Sequence, residues 1–398
     1  MGAASQFTVK QHRCGTHRVV PPETTLQRIE PLLTRFGITR VAPVTGLDVV
    51  GIPTVMAVRP LSRNLSVAQG KGLTLTAARV SGIMEAIEQA VAEDIRTLRL
   101  YGSARELKRL GRIARVDRLL RGPLAFDADA QIFWLQAKDL SSGEPVLCPY
   151  EVVHLDLRVP EPPGAGYFSV DSNGLASGND ALEATCHALF ELIERDATAR
   201  FYRMAPSEQV ARRVRLSSVS DADCLALLER YQRAGVDVAV WEITSPLGVA
   251  AFLCDVLDRP EHALRGLSRA RGMGCHSQRE IALCRALCEA AQSRLTLISG
   301  ARDDIAGDEL QLARGERNLS EARSQLTQTG TRDYEAAPST SFDSFQAELG
   351  WLLHKLAAYG CDEVLQLGLQ PDGELPLAVV RVVVPGLLAP LPKAEVAA

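Results

Sequence analysis

Residues 187–201 read HALFELIERDATARF. Ala188, Leu189, Leu192 and Ile193 recur at helical spacing, while Glu191 and Glu194 stand three residues apart with Arg195 and Asp196 directly behind them. An amphipathic helix explains the apolar set. The carboxylates need a second explanation, and two other stretches supply it. Aligned on their glutamates, VSGIMEAIEQ (80–89) and CRALCEAAQS (284–293) match CHALFELIER (186–195).

At about 100° per residue, positions separated by 3, 7, 10 and 14 form one narrow helical stripe. In the first helix it carries Ala78, Ser81, Glu85, Glu88 and Ala92. The second carries Ala184, His187, Glu191, Glu194 and Thr198, and the third Ala282, Arg285, Glu289, Gln292 and Thr296. A solvated face is the ordinary explanation for one such pair. Solvated faces, however, carry long side chains of mixed sign. These stripes flank their carboxylates with small residues that permit the close approach of another group, and they do so three times.

Five converging carboxylates (Glu85, Glu88, Glu191, Glu194, Glu289) would repel one another unless cations balance them. Mg2+ prefers oxygen ligands and shares them with phosphates, which points to a nucleotide. Lys71, Arg195 and Arg294 are then candidates to neutralise phosphate oxygens, with backbone N–H groups of Gly70-Lys71-Gly72 beside them. His187, on the same stripe, is a candidate proton carrier. A G-x-x-x-x-G-K-[ST] loop, a kinase glycine loop and a Rossmann fingerprint are all absent from the chain.

The 398 residues are 46% hydrophobic and carry 44 Lys and Arg against 48 Asp and Glu, for a net charge of -4. That length supports two or three domains or one large composite fold. The charge gives no drive toward nucleic acid or anionic membrane. No apolar run reaches the roughly 18 to 20 residues of a membrane span, and MGAASQFTVKQHRC has no apolar signal core, so the expected location is the cytoplasm. Nine scattered cysteines without a C-x-x-C pair argue against a disulfide framework. Cys275, Cys284 and Cys288 with His276 do not match a zinc spacing.

The expected elements begin with a helix over 24–36 capped by Thr24 or Thr25, then two strand pieces in 47–59 around Gly51 and Pro53. A glycine turn at 70–72 opens a helix over 76–98, followed by an exposed basic stretch, RELKRLGRIARVDRLLRG. Strands lie within 130–158 around a Ser-Ser-Gly turn. A helix at 219–234 precedes strands VDVAVWEIT and GVAAFLCDVL, and GMGCHS leads into a helix over 278–298. Residues 301–345 read as a polar, mobile or surface excursion with a short helix, before a helix at 343–359 and the strand LAVVRVVVP. The fold class is α/β of the mixed α+β kind, with mixed or antiparallel sheets and three Glu-bearing helices.

QGKGLTLTAARVSGIMEAIEQ (69–89), NGLASGNDALEATCHALFELIERDA (173–197) and GMGCHSQREIALCRALCEAAQSRLTLISGARDD (272–304) together resemble the YcaO family. The resemblance implies an ATP and Mg2+ site that includes Ser81, Glu85, Glu88, Glu191, Glu194, Arg195, Glu289, Gln292 and Arg294. Arg18 and Thr25, in THRVVPPETT, look similar to a nucleotide-contacting segment near the N-terminus. Gln89 stands where many members have Arg, which removes one phosphate contact. The implied organisation is an N-terminal segment 1–59 integrated with the core, a YcaO domain over 60–385, and a tail over 386–398.

The resemblance also implies that a peptide-backbone amide is activated by ATP-dependent O-phosphorylation before a nucleophile attacks its carbon. Phosphorylation turns a resonance-stabilised amide oxygen into a leaving group. A neighbouring Cys, Ser or Thr of the substrate gives an azoline; sulfide gives a thioamide. GITRVAPVTGLDVVGIPTVMAVRPLSRNLSVAQGKG (37–72) is similar to the subgroup that works with a TfuA partner, and the tail PGLLAPLPKAEVAA has only Pro390-Leu391-Pro392 of a Pro-x-Pro-x-Pro ending. The expected activity is therefore thioamidation of a ribosomally made precursor peptide with a TfuA-like protein. An azoline-forming cyclodehydratase and an accessory factor for ribosomal-protein methylthiolation are the alternatives. Neither nucleic acid nor membrane is an expected partner, no fused leader-binding domain is evident, and a homodimer stays open.

Overall fold

A computed structural model of the chain describes residues 8–265, 267–301, 316–370 and 373–388. Its helices are α1 (Pro22–Ile29), α2 (Leu75–Glu93), α3 (Ala104–Leu107), α4 (Ala181–Tyr202) and α5 (Pro206–Ala211). They continue as α6 (Ala222–Arg233), α7 (Arg279–Ser299), α8 (Glu316–Leu326) and α9 (Phe345–Ala358). Strands β1 (Arg40–Pro43), β2 (Thr54–Val58) and β3 (Val67–Lys71) make one antiparallel sheet. A larger sheet combines β4 (Leu100–Gly102), β5 (Ile132–Asp139), β6 (Pro145–Pro149) and β7 (Leu175–Gly178) with strands from the end of the chain. A third sheet is built from β8 (Val236–Glu242), β9 (Ala250–Asp258) and β10 (Ala270–His276). β11 (Leu365–Gly368) and β12 (Ala378–Val383) complete the larger sheet, in the order β4-β5-β11-β12-β7 with β6 beside β5, and its pairs are antiparallel.

Each Glu-bearing helix follows a strand that ends in or contains glycine: β3 into α2, β7 into α4, β10 into α7. The stretches GKG and GMGCHS are thus mostly strand, where turns or leaders were expected. The glycines serve close packing. A Cβ on Gly70 would overlap the backbone of Ala78 and Gly82, and one on Gly274 would overlap Ala282 and Ala286. Gly178 meets Ala184 in the same way. The alanines heading the three stripes, Ala78, Ala184 and Ala282, therefore admit a neighbouring strand backbone, which is the close approach their size permits.

The units form a closed ring. Beyond its own strand, α2 touches β7, α4 touches β10, and α7 touches β3. Helix starts are locally specified: Thr74 accepts from the Ala77 N–H, and Asp180 accepts from the Glu183 N–H at 2.8 Å. The apolar faces pack outward from the ring onto the sheets, with Ile83 and Ile87, Leu189 and Ile193, and Leu283 and Leu287 fully buried.

Several boundaries differ from expectation. α1 starts earlier, with Pro22 at its first turn and no side-chain cap, and it tightens into a 3-10 turn at Glu30–Leu32. The first strand is Arg40–Pro43, while 48–52 is irregular, with Gly51 at φ 72° and Val49 exposed. α2 stops at Glu93, whose carboxylate is engaged by Arg59 at 2.7 Å. The basic stretch is not all exposed: Leu107, Ala114 and Leu119 are core residues. Within 301–345, residues 302–315 lie outside the described set, and Leu326, Tyr334 and Phe345 are buried, so that part packs against the body. Of the tail, only 386–388 is described, with Leu387 buried. No described helix is long and apolar enough to cross a membrane.

Candidate functional site

The ring encloses a cavity of about 930 Å³. Glu85, Glu88, Glu191, Glu194 and Glu289 all line it, as do Ser81, His187, Arg195 and Gln292 from the same stripes. Lys71 reaches it from β3, and Arg18 and Thr25 from the N-terminal segment. Glu88 Oε1 accepts the Ser177 N–H at 2.8 Å and the Ser177 hydroxyl at 2.5 Å, bridging α2 to β7. Glu289 Oε2 receives Lys71 Nζ at 2.5 Å and so ties α7 to β3. Arg195 lies 3.7 Å from Glu191 and 4.0 Å from Glu194.

Burial and carboxylate repulsion dominate the electrostatics. Burial, with Glu85 and Glu191 nearby, pushes Glu88 up to about 8 despite its hydrogen bonds from Ser177. Burial and the Glu289 charge raise Glu194 to about 7. Burial also raises Glu191, against Arg195, Arg381 and Arg285. Glu289 goes the other way: burial opposes its charge, but Lys71 and Arg195 hold it below the usual range.

Carboxylates kept partly protonated in this way are ligands that a divalent ion would deprotonate. Buried polar atoms without a partner add to the fit: Arg195 Nε, Gln292 Oε1 and Gln69 Nε2 belong to cavity-lining residues. The donor set is therefore suited to Mg2+ and an anionic ligand together.

Not every expected residue reaches the cavity. Arg294 is fully buried elsewhere, paired at 3.0 Å with Asp48 and 3.3 Å with Asp258. Two residues beyond Gln292 on a helix is a rotation of about 200°, which turns Arg294 to the opposite face. In its stead Arg285 lines the cavity and donates to His187 Nε2 at 3.2 Å. A guanidinium only donates, so this ring nitrogen is an acceptor. Burial and the neighbouring Arg285, Arg18 and Lys71 hold His187 well below its ordinary range, which disfavours the imidazolium form.

Sequence reasoning also passed over Glu183 and Asn179. Glu183 accepts from the Val19 N–H at 2.7 Å and the Asn179 N–H at 3.2 Å, and Asn179 Oδ1 accepts from the Thr25 hydroxyl at 2.9 Å. Together they fasten the Arg18–Thr25 segment to the start of α4; the capping pattern Asn-Asp-x-x-Glu was the available signal. The cysteines considered for zinc are buried and free. Among the described residues, His17, His276 and Glu348 bring ligand-type atoms within 4.8 Å of one another. Lys10 Nζ already sits 2.8 Å from Glu348 and 3.1 Å from His17 Nδ1, and His276 Nδ1 accepts the Gln278 N–H, so the trio is a structural network closed by an ammonium.

Comparison with known proteins agrees with this geometry. A family model described as YcaO cyclodehydratase, ATP- and Mg2+-binding, matches residues 69–388. The chain is 37% identical over 381 residues to an uncharacterized protein in the tfuA 3' region of Rhizobium leguminosarum bv. trifolii, covering 93% of this chain and 88% of that protein. It is 35% identical over 385 residues to an uncharacterized protein of Methanothermobacter thermautotrophicus, covering 93% and 94%. The fold matches YcaO from Methanopyrus kandleri bound with AMPPCP and Mg2+ (TM-score 0.74, 22% identity, 97% of this chain and 99% of that one). It also matches a heterocyclase in complex with substrate and cofactor (TM-score 0.79, 22% identity, 97% of this chain), of which the chain spans about half, 54%. The chain belongs to the YcaO family, whose cofactors are ATP and Mg2+.

Proposed function

We propose that this protein is an ATP- and Mg2+-dependent enzyme that converts a backbone amide of a ribosomally synthesised precursor peptide to a thioamide, working with a TfuA-like protein. The observation that carries the reading is the ring of three strand-helix units, which sets Glu88, Glu191, Glu194 and Glu289 around one cavity with Arg195 and Arg285. At about 930 Å³ the cavity is at the upper end of the roughly 300–1,000 Å³ of ligand sites, with room for a nucleotide and a peptide segment.

The proposed roles follow from position. Glu85, Glu88, Glu191, Glu194 and Glu289 would hold Mg2+, giving up the protons that burial now favours. Arg195, Arg285 and Lys71 shield phosphate charge, and Ser81, Gln292, Arg18 and Thr25 orient the nucleotide. ATP supplies the phosphoryl group that makes the amide oxygen a leaving group, which sulfide then replaces. A cytoplasmic location belongs to this proposal, because ATP is abundant there.

The choice of sulfide rests on the relative from the tfuA 3' region. The family description as a cyclodehydratase favours the azoline reading instead. One experiment separates them. With precursor peptide, ATP, Mg2+, sulfide and the TfuA-like protein, thioamidation raises the peptide mass by the difference between sulfur and oxygen. Loss of one water establishes the azoline reaction, and nucleotide binding without any turnover leaves an accessory role.

A further inference from the structure

We propose that a small side cavity behind Arg195 is the subsite for one residue of the peptide substrate, taking a small apolar side chain. The inference rests on the peptide-modifying function proposed above and goes beyond it by assigning where the peptide lies. The side cavity has a volume of about 60 Å³. Arg195 lines both it and the large cavity. The loop at 171–173 divides the two, with Ser172 toward the large one and Asp171 and Asn173 toward the small one.

Its walls are apolar, formed by Leu120, Val152, Leu192, Val384 and Leu387. Three arginines interrupt them, Arg118, Arg195 and Arg381, and Arg118 donates to the Gly360 carbonyl at 3.0 Å. Arg381 is 3% exposed and donates to the Asp171 carbonyl at 2.8 Å and Asp171 Oδ1 at 3.2 Å. The side chain of a peptide residue would cover the apolar wall.

Size and polarity decide between occupants. About 60 Å³ is well below the roughly 150 Å³ that admits a benzene ring, so neither a nucleobase nor an aromatic side chain fits. A free phosphate would meet apolar walls on most sides and lose its hydration there. A residue such as alanine or valine meets both requirements.

Full-length wild type, Leu192→Ala and Leu192→Phe are incubated with the TfuA-like protein, ATP, Mg2+, sulfide and a pooled octapeptide library, and modified members are sequenced by mass spectrometry. AMPPCP·Mg2+ affinity by calorimetry is the control for folding, and both variants are expected within about twofold of wild type. Wild type should enrich small apolar residues at one position beside the modified amide. Leu192→Phe should restrict that position to glycine by about tenfold or more, and Leu192→Ala should admit leucine. Preferences that are the same in wild type and in whichever variant binds nucleotide normally would overturn the subsite alone, whereas a wild type that binds nucleotide yet modifies no member overturns the peptide-modifying function and the subsite with it. A wild type that binds no nucleotide overturns the parent function and the subsite with it.

Discussion

Lys71 Nζ lies 2.5 Å from Glu289 Oε2 across 218 residues of sequence. The pair joins β3 to α7 and so closes the ring between its first and third units. A partly exposed ion pair contributes little stability, about 0–1 kcal/mol. Its larger effect is on charge, since Lys71 helps keep Glu289 ionised while Glu194 retains a proton more readily. Lys71→Met should raise the Glu289 pKa and weaken AMPPCP·Mg2+ binding by about tenfold, with a melting temperature near wild type. Calorimetry and thermal melts measure both. Unchanged affinity would reduce the contact to an incidental ion pair.

Glu191→Gln removes a carboxylate whose charge burial already disfavours. Folding should therefore be preserved, and the metal-free protein should melt at or slightly above the wild-type temperature. Mg2+-dependent nucleotide hydrolysis should be lost. A wild-type hydrolysis rate in this variant would sink the assignment of Glu191 to the metal.

Arg294→Met tests the opposite case. Its guanidinium balances Asp48 and Asp258 in the interior. Removing it leaves the buried Asp48 carboxylate without its cation and weakens the neutralisation of Asp258, which should cost about 3–5 kcal/mol of stability. Denaturant unfolding should show that loss, while the folded fraction binds AMPPCP·Mg2+ nearly as wild type does. A selective loss of nucleotide affinity without destabilisation would return Arg294 to the phosphate site.

The sequence made the site far more legible than the packing. The stripe could be read because helix rotation is fixed: Glu85 and Glu88, Glu191 and Glu194, and Glu289 and Gln292 must share a face wherever their helices lie. Arg294 was misplaced by motif proximity although the same rotation rule excludes it, and Arg285 was on the stripe but was given no role. The glycines at 70 and 274 were invisible as strand residues, because a glycine in sequence signals a turn and only the neighbouring helix shows that backbone contact is the reason. The 47–50 segment failed differently. Its valines have strand propensity, but among the described residues no strand pairs with them, and propensity without pairing is weak.

The close approach of β3 to α2 gives a packing prediction. Gly70→Ala places a methyl group into backbone atoms of Ala78 and Gly82, which cannot rotate away as a side-chain tip would. The strand and helix must separate, and with them Lys71 and Glu88. Soluble expression should fall sharply, and any folded protein should melt well below wild type and bind AMPPCP·Mg2+ weakly. Gly143→Ala is the control, because that glycine sits in an open turn at φ 80° with nothing within 4 Å; its effect should be limited to about 1 kcal/mol of backbone strain.

The carboxylates also set the direction of the pH response. Glu88 is raised from 4.5 to about 8, and Glu194 from 4.5 to about 7. Between 4.5 and these raised values the two carboxyls therefore bind more protons in the folded chain than in the unfolded chain. Stability of the metal-free protein from these groups is fully present below the unfolded value and is lost as pH rises through the folded values. Mg2+ reverses the balance, because it binds the ionised forms and must displace their protons. AMPPCP·Mg2+ affinity should rise from about pH 6 to about pH 8, with net proton release detected by calorimetry in two buffers of different ionisation heat. The buried histidines His17, His154, His187 and His276, held below their ordinary range, act in the opposite direction up to about pH 6.5, so the melting temperature without Mg2+ should fall from about pH 7 to about pH 8. Affinity that is flat across this range, with no proton release, would mean that the raised carboxylates are not the groups that meet the cation.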